Sequence, residues 1–249
     1  MIDLLGRVTL ITGGSRGIGE ACVKLFAQAN SNVIFTYKSA VQRAEKLEAE
    51  FPNKVKSFKV DMESENEIND VITKTEKLFG KIDILVHNAG IWNDGTLETM
   101  TLDHWNELMK VNLTSTFLFC RGCSSIMKKN KFGRMILITS TAGQRGEAFH
   151  SHYAASKGGM ISFTKSLAVE LAPFNITVNS VAPGWVETEL NNGVFADEKY
   201  KEEIRKGIPV GRIASSEDIA GPVLFLASDL ARHINGEILN VNGGSVLCG

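Results

Sequence analysis

Tyr153 and Lys157 stand four residues apart in a helical-looking stretch, so their side chains share one face. An unperturbed phenol titrates near pH ~10 and is a poor acid or base in neutral water. A lysine ammonium beside it favours the phenolate and is expected to lower that pKa, more so with a cationic nicotinamide ring nearby. Such a tyrosine can give its proton to a developing alkoxide as hydride reaches the adjacent carbon. Ser140, thirteen residues before Tyr153 at the tip of a β-branched run, can hydrogen-bond the same oxygen and favour charge there. These are the parts needed to interconvert a carbonyl and an alcohol. Each has a plainer use when it occurs alone: Tyr-x-x-x-Lys as a surface helix pair, a serine as a turn residue, and Asn112, further upstream, as an asparagine bonding locally. Their coincidence with a glycine loop near the N-terminus carries the chemical reading.

That loop reads Thr12-Gly13-Gly14-Ser15-Arg16-Gly17-Ile18-Gly19 and joins the first strand-like run to the first helix-like one. Glycines in a strand-turn-helix let the backbone approach a pyrophosphate, which then rests on the helix N-terminus. Gly13, Gly17 and Gly19 give the spacing G-x-x-x-G-x-G, and their place after the first strand of an alternating pattern points to a dinucleotide. An NAD site wants a carboxylate at the end of the second strand to hold the ribose 2′-hydroxyl. Here that end reads Thr36-Tyr37-Lys38-Ser39. Arg16 and Lys38 are instead suited to a 2′-phosphate, so the expected cofactor is NADP(H) rather than NAD(H). Ser15, Ile18, Tyr37, Ser39 and Met62 complete the contacts expected near it. Asp61 is a candidate for the adenine amino group, with a helix cap as its alternative use.

The elements that must position these residues are legible as short apolar runs alternating with longer amphipathic stretches. Val8-Thr12, Asn32-Tyr37, Val55-Val60, Ile82-His87, Arg134-Thr139, Thr177-Ala182 and Ile238-Asn242 read as strands, nearly continuous in apolar residues as strands covered on both faces should be. Helices are expected near 17–29, 39–51, 64–79, 101–128, 151–173 and 215–229. This alternation implies an α/β fold, a doubly wound parallel sheet of Rossmann type. Only 189–214 breaks it, being polar and carrying Gly193, Gly207, Pro209 and Gly211. It is too short for a second domain and reads as a small helical lid over a substrate site. The chain, 1–249, is expected to be a single domain.

Composition sets outer limits. The 249 residues carry 27 Lys+Arg and 28 Asp+Glu for a net charge of -1, and 43% are hydrophobic. This excludes intrinsic disorder and argues against nucleic acid as a partner, which needs a basic excess. Cys22, Cys120, Cys123 and Cys248 are too scattered for a disulfide scaffold. Cys120 and Cys123 read as residues of a helix face rather than a redox or zinc pair. The five histidines show no ligand spacing beyond His150-x-His152, so no metal is expected. With no membrane-length apolar run and no signal-peptide pattern, a cytoplasmic protein is expected.

Taken as a set, Thr12–Gly19, His87-Asn88-Ala89-Gly90, Asn112 within Val-Asn-Leu, Ser140, Tyr153-Ala-Ala-Ser-Lys157, Pro183-Gly184 and Thr188 resemble the short-chain dehydrogenase/reductase family. The likeness runs from Gly6 to Gly244. It implies a Rossmann-type domain, reversible carbonyl/alcohol chemistry and a homotetramer. It also implies that Asn88, Ala89 and Gly90 line the adenosine side and Pro183, Gly184, Val186 and Thr188 the nicotinamide end. By the same resemblance Lys157 reaches the nicotinamide ribose and Asn112 holds a water linking Lys157 to solvent. His87 stands where the family most often has Asn. Within the family the sequence is most similar to the bacterial β-ketoacyl-[acyl-carrier-protein] reductases. The carriers are Gly133-Arg134-Met-Ile, Tyr153-Ala-Ala-Ser-Lys157-Gly-Gly, Ile176 to Gly184, Asn235-Gly236-Glu-Ile and Val241-Asn-Gly-Gly244. The implied substrate is an acyl thioester, with acyl carrier protein as a partner met by basic residues beside the cleft. Lys131 is one candidate, but Phe174 stands where a second Arg is common. Trp92, Phe149, Trp185 and Phe195 are candidates for apolar walls of the pocket, or for core. Two alternatives stay open: a sugar, steroid or small-alcohol dehydrogenase on the same scaffold, and a catalytically silent dinucleotide-binding regulator.

Overall fold

The computed structural model describes residues 2–247; Cys248 lies outside them. Seven strands, Val8–Ile11 (β1), Asn32–Tyr37 (β2), Val55–Lys59 (β3), Ile84–His87 (β4), Gly133–Ile138 (β5), Ile176–Pro183 (β6) and Ile238–Val241 (β7), form one sheet in the order β3-β2-β1-β4-β5-β6-β7. Every pairing is parallel, so each crossover needs a connection over a sheet face. Ten helices accompany the sheet among the described residues. They are Gly17–Gln28 (α1), Val41–Glu50 (α2), Glu65–Phe79 (α3), Leu102–Met109 (α4), Ser115–Asn130 (α5), Ala142–Arg145 (α6), Ser151–Leu171 (α7), Asn192–Phe195 (α8), Glu198–Lys206 (α9) and Ser216–Ala227 (α10). The expected doubly wound sheet is present, and the strands fall where their apolar runs place them.

Alternation along each strand feeds two cores. Ile11, Val33, Phe35, Ile84 and Val86 face one layer with Phe26 of α1, Leu47 of α2 and Val223 of α10. Leu10, Ile34, Leu85, Met135 and Leu137 face the other with Ile68 of α3, Phe119 of α5 and Met160 of α7. Cys22 belongs to the first cluster and Cys120 and Cys123 to the second. Burial pushes the Cys22 and Cys120 thiols up to about 12, so these are packing residues. Each strand side chain is fixed to one face because a one-residue slip would exchange the two cores.

The stretch expected as one helix over 101–128 is divided. A π-type turn at Lys110–Thr114 separates α4 from α5 and buries Val111 and Asn112. Such turns widen a helix locally and are frequent at functional sites. The 189–214 segment is helical in its middle, with α8, α9 and a short 3-10 turn at Glu189–Asn191. Asp197 caps α9 by accepting from the Lys199 and Tyr200 N–H groups. Ile204, Ile208 and Ile213 form a small separate cluster beneath it, with Trp185 and Phe195 against them. Among the described residues no helix is long and apolar enough to cross a membrane.

Because β1 lies between β2 and β4, the chain winds outward in both directions from this point. Crevices open there at the C-terminal strand ends in doubly wound sheets. Register brings those ends level: Ile11 pairs with Phe35 and with Val86, His87 with Leu137, and Ile138 with Val181. Thr12, Asn88, Ser140 and Gly184 therefore leave the sheet along one edge.

Candidate active site

A cleft runs along that edge. Its first part, about 220 Å³, is lined by Gly13, Ser15, Arg16, Gly17, Ile18, Tyr37, Lys38, Ser39, Met62, Asn88, Ala89, Gly90 and Thr188. Its second part, about 380 Å³, shares Ile18, Asn88, Gly90 and Thr188 and continues to Ser140, Tyr153, Lys157, Pro183, Gly184 and Val186. The residues singled out in the sequence thus line one continuous groove, apart from Gly19, Asp61 and Asn112.

The glycine loop is shaped for close approach. Gly13 adopts φ +65°, and a Cβ there would sit 3.1 Å from the Ala89 Cα. Gly19 lies beneath the loop, where a Cβ would be 2.1 Å from the Gly13 carbonyl oxygen; it lets α1 pack under the turn and does not touch the cleft. At the start of α1, Arg16 is extended and no side chain caps the helix. The first-turn N–H groups and the positive end of the helix dipole are thereby left for an anion. The loop fits a pyrophosphate.

Behind it lies a buried chain of hydrogen bonds absent from the sequence expectations. The Thr12 hydroxyl oxygen accepts the Asn88 and Ala89 N–H groups at 3.0 and 2.9 Å. Its own proton is thus left for His87 Nδ1, 3.2 Å away. Ser115 donates to the Val111 carbonyl at 2.6 Å, so it accepts from His87 Nε2–H at 3.2 Å. Donor counting assigns the Nε2–H tautomer. Burial, with the Lys157 charge adding to it, holds the imidazole down to about 3, so it stays neutral. At the end of β4, this histidine ties the loop after β1 to the first residue of α5. A lone histidine at a strand end ahead of Asn-Ala-Gly was the available sequence signal.

Lys38 does not stand free at the 2′-phosphate position. Its ammonium lies 3.0 Å from an Asp61 carboxylate oxygen and 3.8 Å from Glu63. Asp61 does not line the groove. Burial opposes its ionisation, but the Glu63 N–H and the Lys38 ammonium prevail and lower its pKa. Asp61 therefore holds Lys38 in place in this structure. Arg16 is exposed and lines the groove.

At the other end Tyr153 and Ser140 meet. The Ser140 hydroxyl lies near enough to the phenol to pull its pKa down, and it accepts the Ala142 N–H at 3.1 Å. Lys157, one turn along α7, donates to the Ile138 carbonyl at 2.8 Å, and its ammonium lies 5.8 Å from the Tyr153 ring centre. Burial lowers the lysine to about 8. Burial pushes Tyr153 up to about 12, with Ser140 pulling it down and the Glu147 charge raising it further; the expected lowering draws also on a cationic nicotinamide ring, which acts only when the cofactor is bound.

Asn112 is fully buried in the π-type turn. Its Oδ1 accepts the Ile91 N–H at 2.8 Å, and its Nδ2 donates to the Ile91 carbonyl at 3.0 Å and to Ser156 at 3.2 Å. Its carbonyl oxygen accepts from Thr116 at 2.6 Å. Asn112 thus clamps the loop after β4 to α7 next to Lys157. Of the aromatic candidates, Trp92 and Trp185 line the groove, Phe195 packs on Trp185 at 5.9 Å, and Phe149 is exposed. Lys131 caps the C-terminus of α5 before β5 begins, at the opposite edge of the sheet from Ser140. Within one chain it does not lie beside the cleft. Phe174 is covered by the Lys128 ammonium, 4.7 Å from its ring centre.

Comparisons with known proteins agree with this geometry. A family model described as Enoyl-(Acyl carrier protein) reductase, one of the short-chain dehydrogenase/reductase group, matches residues 13–245. The chain belongs to the short-chain dehydrogenase/reductase family. It is 44% identical over 247 residues to the 3-oxoacyl-[acyl-carrier-protein] reductase FabG of Aquifex aeolicus, covering 98% of each chain. Identity is 39% over 239 residues to the protein of the same name from Escherichia coli K12, covering 96% of this chain and 97% of the other. Nodulation protein G of Rhizobium sp. strain N33 is 39% identical over 244 residues, with 98% of each chain covered. A solved structure of a putative NAD(P)-dependent gluconate 5-dehydrogenase from Beutenbergia cavernae, with bound NADP, superposes with a TM-score of 0.93 at 32% identity and 98% coverage of both chains. The protein is accordingly an oxidoreductase of this family.

Proposed function

We propose that the chain is a single-domain NADPH-dependent reductase of a β-ketoacyl thioester, carried by acyl carrier protein or a smaller thiol, with Tyr153 as the proton donor. The observation that carries this reading is the meeting of Ser140, Tyr153 and Lys157 at one end of a groove whose other end is a helix N-terminus flanked by Arg16 and Lys38. NADP(H) is supported by those two cations and by the NADP-bound relative. The α1 amides would hold the pyrophosphate; Tyr37, Ser39, Met62, Asn88, Ala89 and Gly90 would enclose the adenosine half. Lys157 would reach the ribose, its ammonium having one carbonyl partner for three N–H groups among the described residues. Pro183, Gly184, Val186 and Thr188 would flank the nicotinamide, which supplies hydride when bound.

The chain's own residues do the rest. Ser140 and the Tyr153 hydroxyl converge where a substrate carbonyl oxygen would be held. Burial keeps the phenol protonated well above neutral pH, the state required to donate as the alkoxide forms. The thioester assignment rests on similarity to proteins named as 3-oxoacyl-[acyl-carrier-protein] reductases. A homotetramer is supported by the family and by exposed Leu102 on α4, Phe117 on α5 and Val169 on α7, apolar surface suited to symmetric contacts.

A second reading, a sugar or polyol dehydrogenase, is favoured by the gluconate 5-dehydrogenase relative and by Arg145 and Glu147 in the groove wall. NADPH and NADH oxidation with acetoacetyl-CoA, 5-ketogluconate and simple ketones separates the two. The proposal expects acetoacetyl-CoA with NADPH to give the highest kcat/KM; a higher value for the ketogluconate would replace it with the second reading.

A further inference from the structure

The substrate end of the groove holds an acid that the proposed mechanism leaves unused. Glu147 shares its wall with Ser140 and Tyr153. It is half-buried, and its carboxylate accepts the Trp92 indole N–H at 3.4 Å. Trp92 is in turn stacked on His150, with ring centres 4.3 Å apart and planes within 9°. The His150 N–H donates back to the Glu147 carbonyl at 3.2 Å. A tight loop thus fixes the direction of the carboxylate. Among the described residues no lysine or arginine pairs with it. Arg145, the cation on the same wall, is exposed and so is better screened by solvent than the half-buried acid.

We propose that Glu147 determines specificity by favouring ketones whose neighbouring acyl group is neutral over the corresponding free keto acids. Resting on the reductase reading above, this makes it the residue that selects a β-ketoacyl thioester against the β-keto acid that its hydrolysis yields. The physical reason is local. A β-keto acid carries its carboxylate two carbons from the reacting carbonyl, so with that carbonyl on Ser140 and Tyr153 the charge stays within the part of the groove that Glu147 also lines. Two like charges within about 8 Å at an effective dielectric near 20 repel enough to cost about tenfold or more in binding. A thioester or ester carries no charge there. Glu147 also opposes the ionisation of Tyr153, as expected of a charge on the same stretch of groove.

Glu147→Gln removes the charge and keeps an acceptor for the Trp92 N–H, while Glu147→Asp keeps the charge. We would measure kcat/KM with NADPH for acetoacetyl-N-acetylcysteamine, ethyl acetoacetate and acetoacetate. Calorimetry on the NADP-loaded enzyme would give Kd for acetoacetate and its ethyl ester. The expected result is that Glu147→Gln lowers the neutral-to-anion ratio about tenfold in both measurements and that Glu147→Asp retains it. A ratio within twofold of wild type in Glu147→Gln overturns the inference, as does an equal fall in Glu147→Asp. If wild type reduces neither neutral compound yet Glu147→Gln still tightens acetoacetate selectively, the thioester reading falls and the charge selection stands. Failure to tighten it overturns the selection whatever the substrate.

Discussion

The two ends of the groove are held in different ways. At the dinucleotide end, Thr12, His87, Ser115 and Asn88 form a buried chain with donors and acceptors matched, and Gly13 and Gly19 sit against backbone. At the substrate end, Asn93 Oδ1, His150 Nε2 and both ring nitrogens of His152 are buried without partners among the described residues. There Phe149 takes a left-handed φ of +63°. The segment from Glu189 onward rests on the small Ile204, Ile208 and Ile213 cluster and on exposed ion pairs such as Arg43–Glu189. A matched buried network specifies one arrangement and is costly to disturb, whereas exposed pairs contribute little. The comparison suggests a rigid half that reads a constant cofactor and a looser half open to change with substrate.

Lys157 sits where the two halves meet, and its removal should have the largest effect. Lys157→Met should lower kcat/KM with NADPH by at least about a thousandfold. Its stability should move the other way. The folded pKa is about 8 against an ordinary 10.5, so burial of the ammonium costs most below pH 8. That cost disappears as pH rises from about 8 towards 10.5. At pH 7 the cofactor-free variant should therefore melt a few degrees higher than wild type, with the gain shrinking by pH 10. A lower Tm at pH 7 would show that the lysine is a structural support rather than a binding group.

Thr12→Val comes next. It leaves the Asn88 and Ala89 N–H groups and His87 Nδ1 without the hydroxyl that serves them, and urea titration should show a loss of about 3 kcal/mol. Thr12→Ser should restore most of it. A loss below about 0.5 kcal/mol would mean that this half is no more rigid than the other. At the small end, Arg43→Ala removes the exposed pair to Glu189. It should change Tm by no more than about 1 °C while speeding NADPH release in stopped-flow measurements, because Glu189 borders the dinucleotide part of the groove. A large drop in Tm would erase the contrast drawn above.

The same contrast explains what could be read from sequence. Strands buried on both faces must be apolar along their length, so β1 to β7 were visible as runs, and the glycine spacing and Tyr153-x-x-x-Lys157 announced the groove. Three things were not visible. The π-type turn at Lys110–Thr114 adds a residue within a helix without changing its composition, so one helix was expected where two occur. The direction of the Tyr153 shift depends on desolvation, which no spacing reveals. The polar 189–214 segment signalled a lid through its glycines and Pro209, but the short apolar contacts of Ile204, Ile208 and Ile213 that hold α9 lacked a clear period.

The central claim is that Tyr153 donates the proton in an NADPH-dependent ketone reduction. Single-turnover oxidation of enzyme-bound NADPH by acetoacetyl-CoA, compared in wild type and Tyr153→Phe, tests it most directly. The account predicts a rate at least about a thousandfold lower in the variant, with the Kd for NADPH unchanged within about twofold. A variant rate within tenfold of wild type would show that the proton comes from elsewhere.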